Sequence, residues 1–273
     1  MDNPSVADKK AHIFAPESTW RVGGAAAPLA NDMQLGANAP NGIMVNYSIK
    51  DKPKEELLLK FTTEKGDSII TYSSVKDKKG KALENNKDFY QKEKIERPGV
   101  ASAESGMNTF IWDTRYPDAT DTEGTPAMMW SGQVVGPKVA PGKYFVELII
   151  GKESFGKQPF EIKKDQRVEA TVDNIAESVK FQLRVRDKLS ETHKAVNDLR
   201  TIRKQVTDYL SNVQDSTFKK EIEVISKPML EKIQGVEDEL IQHKAKAFQD
   251  LLALPIKLND KIAGLASVAA SAE

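Results

Sequence analysis

Near Lys163-Lys164-Asp165-Gln166-Arg167 the hydrophobic pattern changes period, and that change constrains the fold more than any other feature. Before it, apolar residues alternate over short runs separated by turn residues. After it they recur every three or four positions for some hundred residues. Alternation places side chains on opposite faces of a strand, whereas a spacing of three or four places them along one face of a helix. One chain therefore carries a β-rich part followed by an α-helical part.

The β-part is organised around Gly106–Ile150. Two strand-like runs, Met107–Asp113 and Lys143–Ile150, flank an Asp/Gly/Pro-rich excursion, and the second is entered through the turn Val139-Ala140-Pro141-Gly142. Upstream lie Ile43–Ile49, Glu56–Thr62 and Ser68–Ser74, divided by Asp51-Lys52-Pro53-Lys54 and Lys65-Gly66-Asp67. These are turn chemistries at hairpin spacing. Glu153–Phe155 and Gln158–Lys163 supply a last hairpin. About seven strands of this length suit an immunoglobulin-like sandwich. Residues 1–41 read as an irregular lead-in, 42–166 as the sandwich and 167–273 as the helical part. The lysine-rich connection from Val75 to Ser105 is too long for a tight loop and is expected to be mobile.

The first helix should run some forty residues. Leu189, Val196 and Leu210, with a second row of Leu199, Val206 and Val213, fall on heptad spacing, flanked by Ile202. A second helix is expected from Thr217, with Phe218, Ile222, Ile225, Met229, Ile233, Val236 and Leu240 along its length and Pro228 kinking or breaking it. A third is expected to begin around Leu254-Pro255 and to carry Leu251, Leu258, Ile262, Leu265 and Ala269 on one face. Three long antiparallel helices make a bundle. The expected class is therefore α+β and multidomain: an Ig-like β-sandwich followed by an antiparallel long-helix bundle.

Charge and inventory narrow the function. Lys plus Arg equals Asp plus Glu at 40 each, with neither half a polyelectrolyte, so a nucleic-acid partner is not expected. Cysteine is absent, which removes disulfides, thiolate chemistry and Cys-ligated metals. No apolar run is long enough to span a bilayer, and MDNPSVADKK has no signal-peptide core. No Walker loop, G-x-S-x-G elbow, dinucleotide fingerprint or HExxH pair occurs, and His12, His193 and His243 are scattered. No cofactor and no catalytic residue are assigned.

Three groups of residues carry readings short of catalysis. Asp113, Asp118 and Asp121, with Glu123, form an acidic loop that reads either as oxygen ligands for a hard cation such as calcium or as turn-forming aspartates in solvent. Trp130 and Tyr116 read either as a platform on which a sugar ring stacks or as packing residues. Trp112, alternating with Phe110, faces inward. Leu199, Leu258 and Ile262 mark helical faces that serve either as the bundle's own core or as an interface, including one that forms a homodimer.

Several runs resemble a known family. They are WDTRYP (Trp112–Pro117), Trp130-Ser131-Gly132, GPKVAPGKY (Gly136–Tyr144), KKDQR (Lys163–Arg167), RDKLSETHKAVNDLRTIRKQ (Arg186–Gln205) and LPIKLNDKIAGLASVAAS (Leu254–Ser271). In this order they are similar to the C-terminal region of large bacterial proteins that carry an N-terminal VPS10/sortilin-like propeller of BNR or WD40-like repeats, often labelled glycosyl hydrolases. The resemblance implies a non-catalytic accessory module that packs against or positions the propeller, in a periplasmic or extracellular protein. It leaves open a carbohydrate-binding module, or part of a hydrolase whose catalytic site lies in the propeller. In that family a further helix continues the bundle.

Overall fold

Alternating burial along each strand explains why the first half of the chain forms sheets. A computed structural model describes residues 8–22, 42–75, 100–123, 129–245 and 247–271. It is of mixed α/β composition, with one three-stranded sheet, one five-stranded sheet and three α-helices. The chain divides into two compact units, Met1–Pro117 with Lys138–Glu177, and Asp118–Pro137 with Ser178–Glu273.

The strands are β1 (Ala11–Ile13), β2 (Thr19–Arg21), β3 (Ile43–Ile49), β4 (Leu57–Thr63), β5 (Ser68–Ser73), β6 (Gly106–Trp112), β7 (Gly142–Ile150) and β8 (Glu153–Lys164). The smaller sheet runs β1-β3-β6 and the larger β2-β8-β7-β4-β5. Neighbours pair antiparallel except β2, which lies parallel to the end of β8. Along β3 the buried side chains are Ile43, Val45, Tyr47 and Ile49, every second residue. That period leaves one face for the core and one for solvent.

Both sheets contribute to one hydrophobic core. Phe61 of β4 lies 4.5 Å from the Trp112 ring of β6, and Phe160 of β8 lies 6.1 Å from it. Trp112 is wholly buried, as its alternation with Phe110 requires, and its indole N–H donates to the Arg115 carbonyl at 3.1 Å. A buried indole N–H left without an acceptor would cost about 1–3 kcal/mol, so this bond allows the ring to sit at the centre. Two further rings keep their polar ends satisfied: Tyr47 Oη donates to Ser102 O, and Tyr144 Oη to Ala140 O, both at 2.6 Å. Gly42 enters β3 at φ +151°, where a Cβ would stand 2.2 Å from the Trp112 carbonyl oxygen. No other residue fits there.

Several expectations need correction. The lead-in is not wholly irregular, because β1 and β2 lie within residues 1–41. The two segments expected as a closing hairpin, 153–155 and 158–163, are one continuous strand, β8. Residues 118–137, assigned to the β-part from sequence, group with the helices. The connection expected to be mobile falls mostly on residues 76–99, outside the described residues.

The helices are α1 (Val172–Asn212), α2 (Ser216–Leu240) and α3 (Leu258–Ser271), with a 3₁₀ turn at Phe248–Leu252. The 41 residues of α1 match the expected length. Thr171 caps it: its hydroxyl oxygen accepts the Asn174 N–H, and the Asn174 side chain accepts the Thr171 N–H, both at 3.1 Å. Asp215 caps α2 by accepting Thr217 and Phe218 amides. Pro228 does not interrupt α2, which continues through it. The third helix starts later than expected and is short. Pro255 precedes it, and Leu251 belongs to the 3₁₀ turn.

Candidate functional site

The first turn of α3 uses a polar face to hold a loop. Asn259 and Asp260, polar residues at a helix start, are almost completely buried together with Ala263. The Asp260 carboxylate accepts the backbone amides of Trp130 at 3.0 Å and Ser131 at 2.7 Å. Charge-assisted bonds of this kind are about twice as strong as neutral ones. Gly132 lies against α3 so closely that a Cβ would stand 2.4 Å from the Ala263 carbonyl carbon. The Trp130-Ser131-Gly132 loop is thus fixed at backbone level, while the Trp130 side chain is 49% exposed. Its indole stacks on Phe248, with centroids 4.9 Å apart and planes inclined by 23°.

In the same unit, the middle of α1 holds the preceding segment. His193 Nδ1 lies 2.7 Å from the Thr120 carbonyl, and Ser190 Oγ accepts the Thr120 amide at 3.1 Å. Asn197 accepts the Glu123 N–H and donates to the Asp121 carbonyl. His193 is wholly buried, and its Nε2 is 3.4 Å from Asn259 Nδ2. With Nδ1 facing an acceptor and Nε2 facing a donor, the neutral Nδ1–H tautomer satisfies both. Burial lowers the imidazole's affinity for a proton. A ring so enclosed cannot reach a substrate in solvent, and it acts as a strut between α1 and the loop.

Outside α3 the surface is apolar and uncovered. Leu258, Leu265 and Val268 are exposed by 44%, 53% and 70%. Ser131, Lys261, Gly264, Leu265, Val268 and Ser271 line an open groove of about 520 Å³ along this face.

The aspartates read either as cation ligands or as turn formers are separated in their roles. Asp113 Oδ1 accepts the Arg115 amide at 3.2 Å and belongs to the first unit. In the second, Asp118 Oδ1 accepts the Gly136 amide at 2.8 Å, and Asp121 Oδ1 the Thr122 amide at 2.7 Å. Each caps a turn. Among the described residues no group of three or more His, Cys, Asp or Glu is placed to hold a metal ion. Tyr116 packs half-buried against the core of the first unit, whereas Trp130 is in the second. Of the helical residues, Leu258 is exposed. Ile262 packs half-buried against the small cluster of Ala119, Met129, Leu189 and Ala263, and Leu199 is half-buried.

Sequence reasoning missed Asp260, Asn259 and Gly132. Their signal is present but faint: an acidic residue in a helix's first turn, and a glycine after a tryptophan. No helix among the described residues is long and apolar enough to cross a membrane. No family model, curated protein or solved structure matches the chain.

Proposed function

We propose that this chain is a non-catalytic interaction module, an Ig-like sandwich followed by an antiparallel helical bundle, that packs against or positions a β-propeller in an exported bacterial protein. The uncovered outer face of α3 carries the reading. Leu258, Leu265 and Val268 leave water-exposed apolar surface on a helix that also holds the Trp130 loop through Asp260. Exposed apolar surface of this kind is characteristic of a docking site. The tyrosine-to-backbone bond of Tyr144, four residues back to Ala140, supports the Ig-like part, since such corners recur in that architecture. The propeller as partner follows from the family resemblance of the motifs.

The absence of cysteine makes the test direct. A single cysteine introduced as Val268→Cys carries a thiol-reactive fluorophore. Adding the BNR-type propeller should blue-shift its emission and shield it from a soluble quencher. Unchanged emission and quenching at saturating propeller would refute the reading.

The Trp130–Phe248 stack favours a second reading, a carbohydrate-binding module, because an exposed ring held by a fixed backbone is suited to stacking on a sugar face. Tryptophan fluorescence titrated with oligosaccharides tests it. Saturable quenching lost in Trp130→Ala supports a glycan site, and a flat titration in the wild type removes it.

A further inference from the structure

Helix α2 carries a seam that its own unit does not explain. Phe218, Glu221, Ile225, Pro228, Lys232 and Gly235 follow one another at intervals of three and four residues, the spacing of one helix face. All six are exposed, with Ile225 at 77% and Phe218 at 47%. Val224, beside them, is 72% exposed. The buried residues of α2, Ser226, Ile233 and Glu237, lie on a different face. Two residues on the seam are poor choices for a solvent-facing helix: proline removes a backbone donor, and an interior glycine costs roughly 1 kcal/mol relative to alanine. Gly235 has no local justification, since a Cβ there would meet nothing within 4 Å and its φ is not positive.

The order of residues along the seam supplies a reason. When a second α2 lies antiparallel with its two-fold axis midway between Ile225 and Pro228, every seam residue meets a complement. Phe218 falls opposite Gly235 of the other copy, Glu221 opposite Lys232, and Ile225 opposite Pro228, and each pairing occurs twice. An isologous interface requires this self-complementarity. The bulkiest side chain meets the residue that has none, and the seam's two charges meet opposite charges. Among the described residues Glu221 and Lys232 form no ion pair within the chain.

We propose that the chain forms a homodimer through antiparallel pairing of α2 along this seam. The surface is separate from the α3 groove, so the proposal stands whether or not that groove binds a propeller.

Sedimentation equilibrium of the whole chain, at concentrations up to about 1 mM, tests it. The wild type should dimerise. Glu221→Lys and Lys232→Glu should each weaken the dimer about tenfold, since each creates two like-charge contacts. The double variant Glu221→Lys/Lys232→Glu restores both pairs and should recover wild-type association. Gly235→Leu should block Phe218 and favour the monomer, with helical circular dichroism confirming that it remains folded. A wild type that stays monomeric, single reversals without effect, or a double variant as weak as the singles would each overturn the proposal.

Discussion

Arg200 Nε donates to Glu237 Oε1 at 2.8 Å, and Arg203 donates to the other oxygen of the same carboxylate at 2.7 Å, so one nearly buried acid on α2 holds two cations on α1. Burial raises the affinity of the Glu237 carboxyl for a proton, but the two guanidiniums outweigh it and hold the carboxyl below the usual glutamate range. Arg200 also donates to the Glu123 carbonyl, which ties the loop to the same group.

Glu237→Ala should therefore destabilise the helical unit by about 2–3 kcal/mol, below the 3–5 kcal/mol of a fully enclosed pair because both guanidiniums reach solvent. Arg203→Ala should cost only about 1 kcal/mol, as Arg200 keeps the carboxylate paired. Urea denaturation of each variant gives the comparison. Equal losses would mean that the two arginines do not share one acceptor.

The two glycines that face opposite circumstances make a paired prediction. Gly132→Ala forces a Cβ into the backbone of Ala263 and should lower stability by about 1–3 kcal/mol while loosening the Trp130 loop. Gly235→Ala has open space within the single chain and, at concentrations too low for dimerisation, should stabilise the monomer by about 0.4–1 kcal/mol. Thermal unfolding should move in opposite directions for the two, and Trp130 fluorescence should shift only for the first.

How much of this was legible in the sequence follows from which forces act locally. The strands from Ile43 to Ile150 announce themselves because each alternates between core and solvent, and Trp112 could be placed by its neighbour Phe110. β1 and β2 were not legible: three residues are too few to show a period, and they are held by pairing with β3 and β8, far away in sequence. Pro228 read as a break because a proline lacks a donor, yet α2 continues through it. Asp113, Asp118 and Asp121 read either as cation ligands or as turn-forming aspartates, because sequence cannot show that each carboxylate already accepts a backbone amide. Asp260 looked like an ordinary helix-start acid because its partners, Trp130 and Ser131, lie some 130 residues away.

His193 gives the second unit an acid sensitivity. Burial lowers its pKa, opposed by the Thr120 carbonyl and the charge of Asp121, and aided by the charge of Arg200. The unfolded chain therefore takes up a proton at higher pH than the folded one. The stability associated with the neutral ring is complete above about pH 6.5 and is lost as pH falls below it. His193→Gln removes the titration and should flatten the stability profile below pH 6.5, even if the variant is weaker at neutral pH. A wild-type slope that persists in the variant would assign the sensitivity to other groups.

Tyr47 sets the limit at the alkaline end. Its ring is wholly buried and burial raises the hydroxyl to about 12, two units above the ordinary value near 10. The folded state favours the protonated phenol, so its contribution is complete below pH 10 and is lost as pH rises from 10 to 12, on the order of 2–3 kcal/mol. Tyr47→Phe should lose the Ser102 hydrogen bond at pH 7, at a cost of about 1 kcal/mol. Above pH 11 that variant should become the more stable of the two, because it has no phenol to ionise. Denaturant titrations at pH 7 and pH 11.5, with tyrosinate absorbance followed in parallel, would reveal the crossing. If the two proteins keep the same order at both pH values, Tyr47 ionises without opening the core and the burial argument fails.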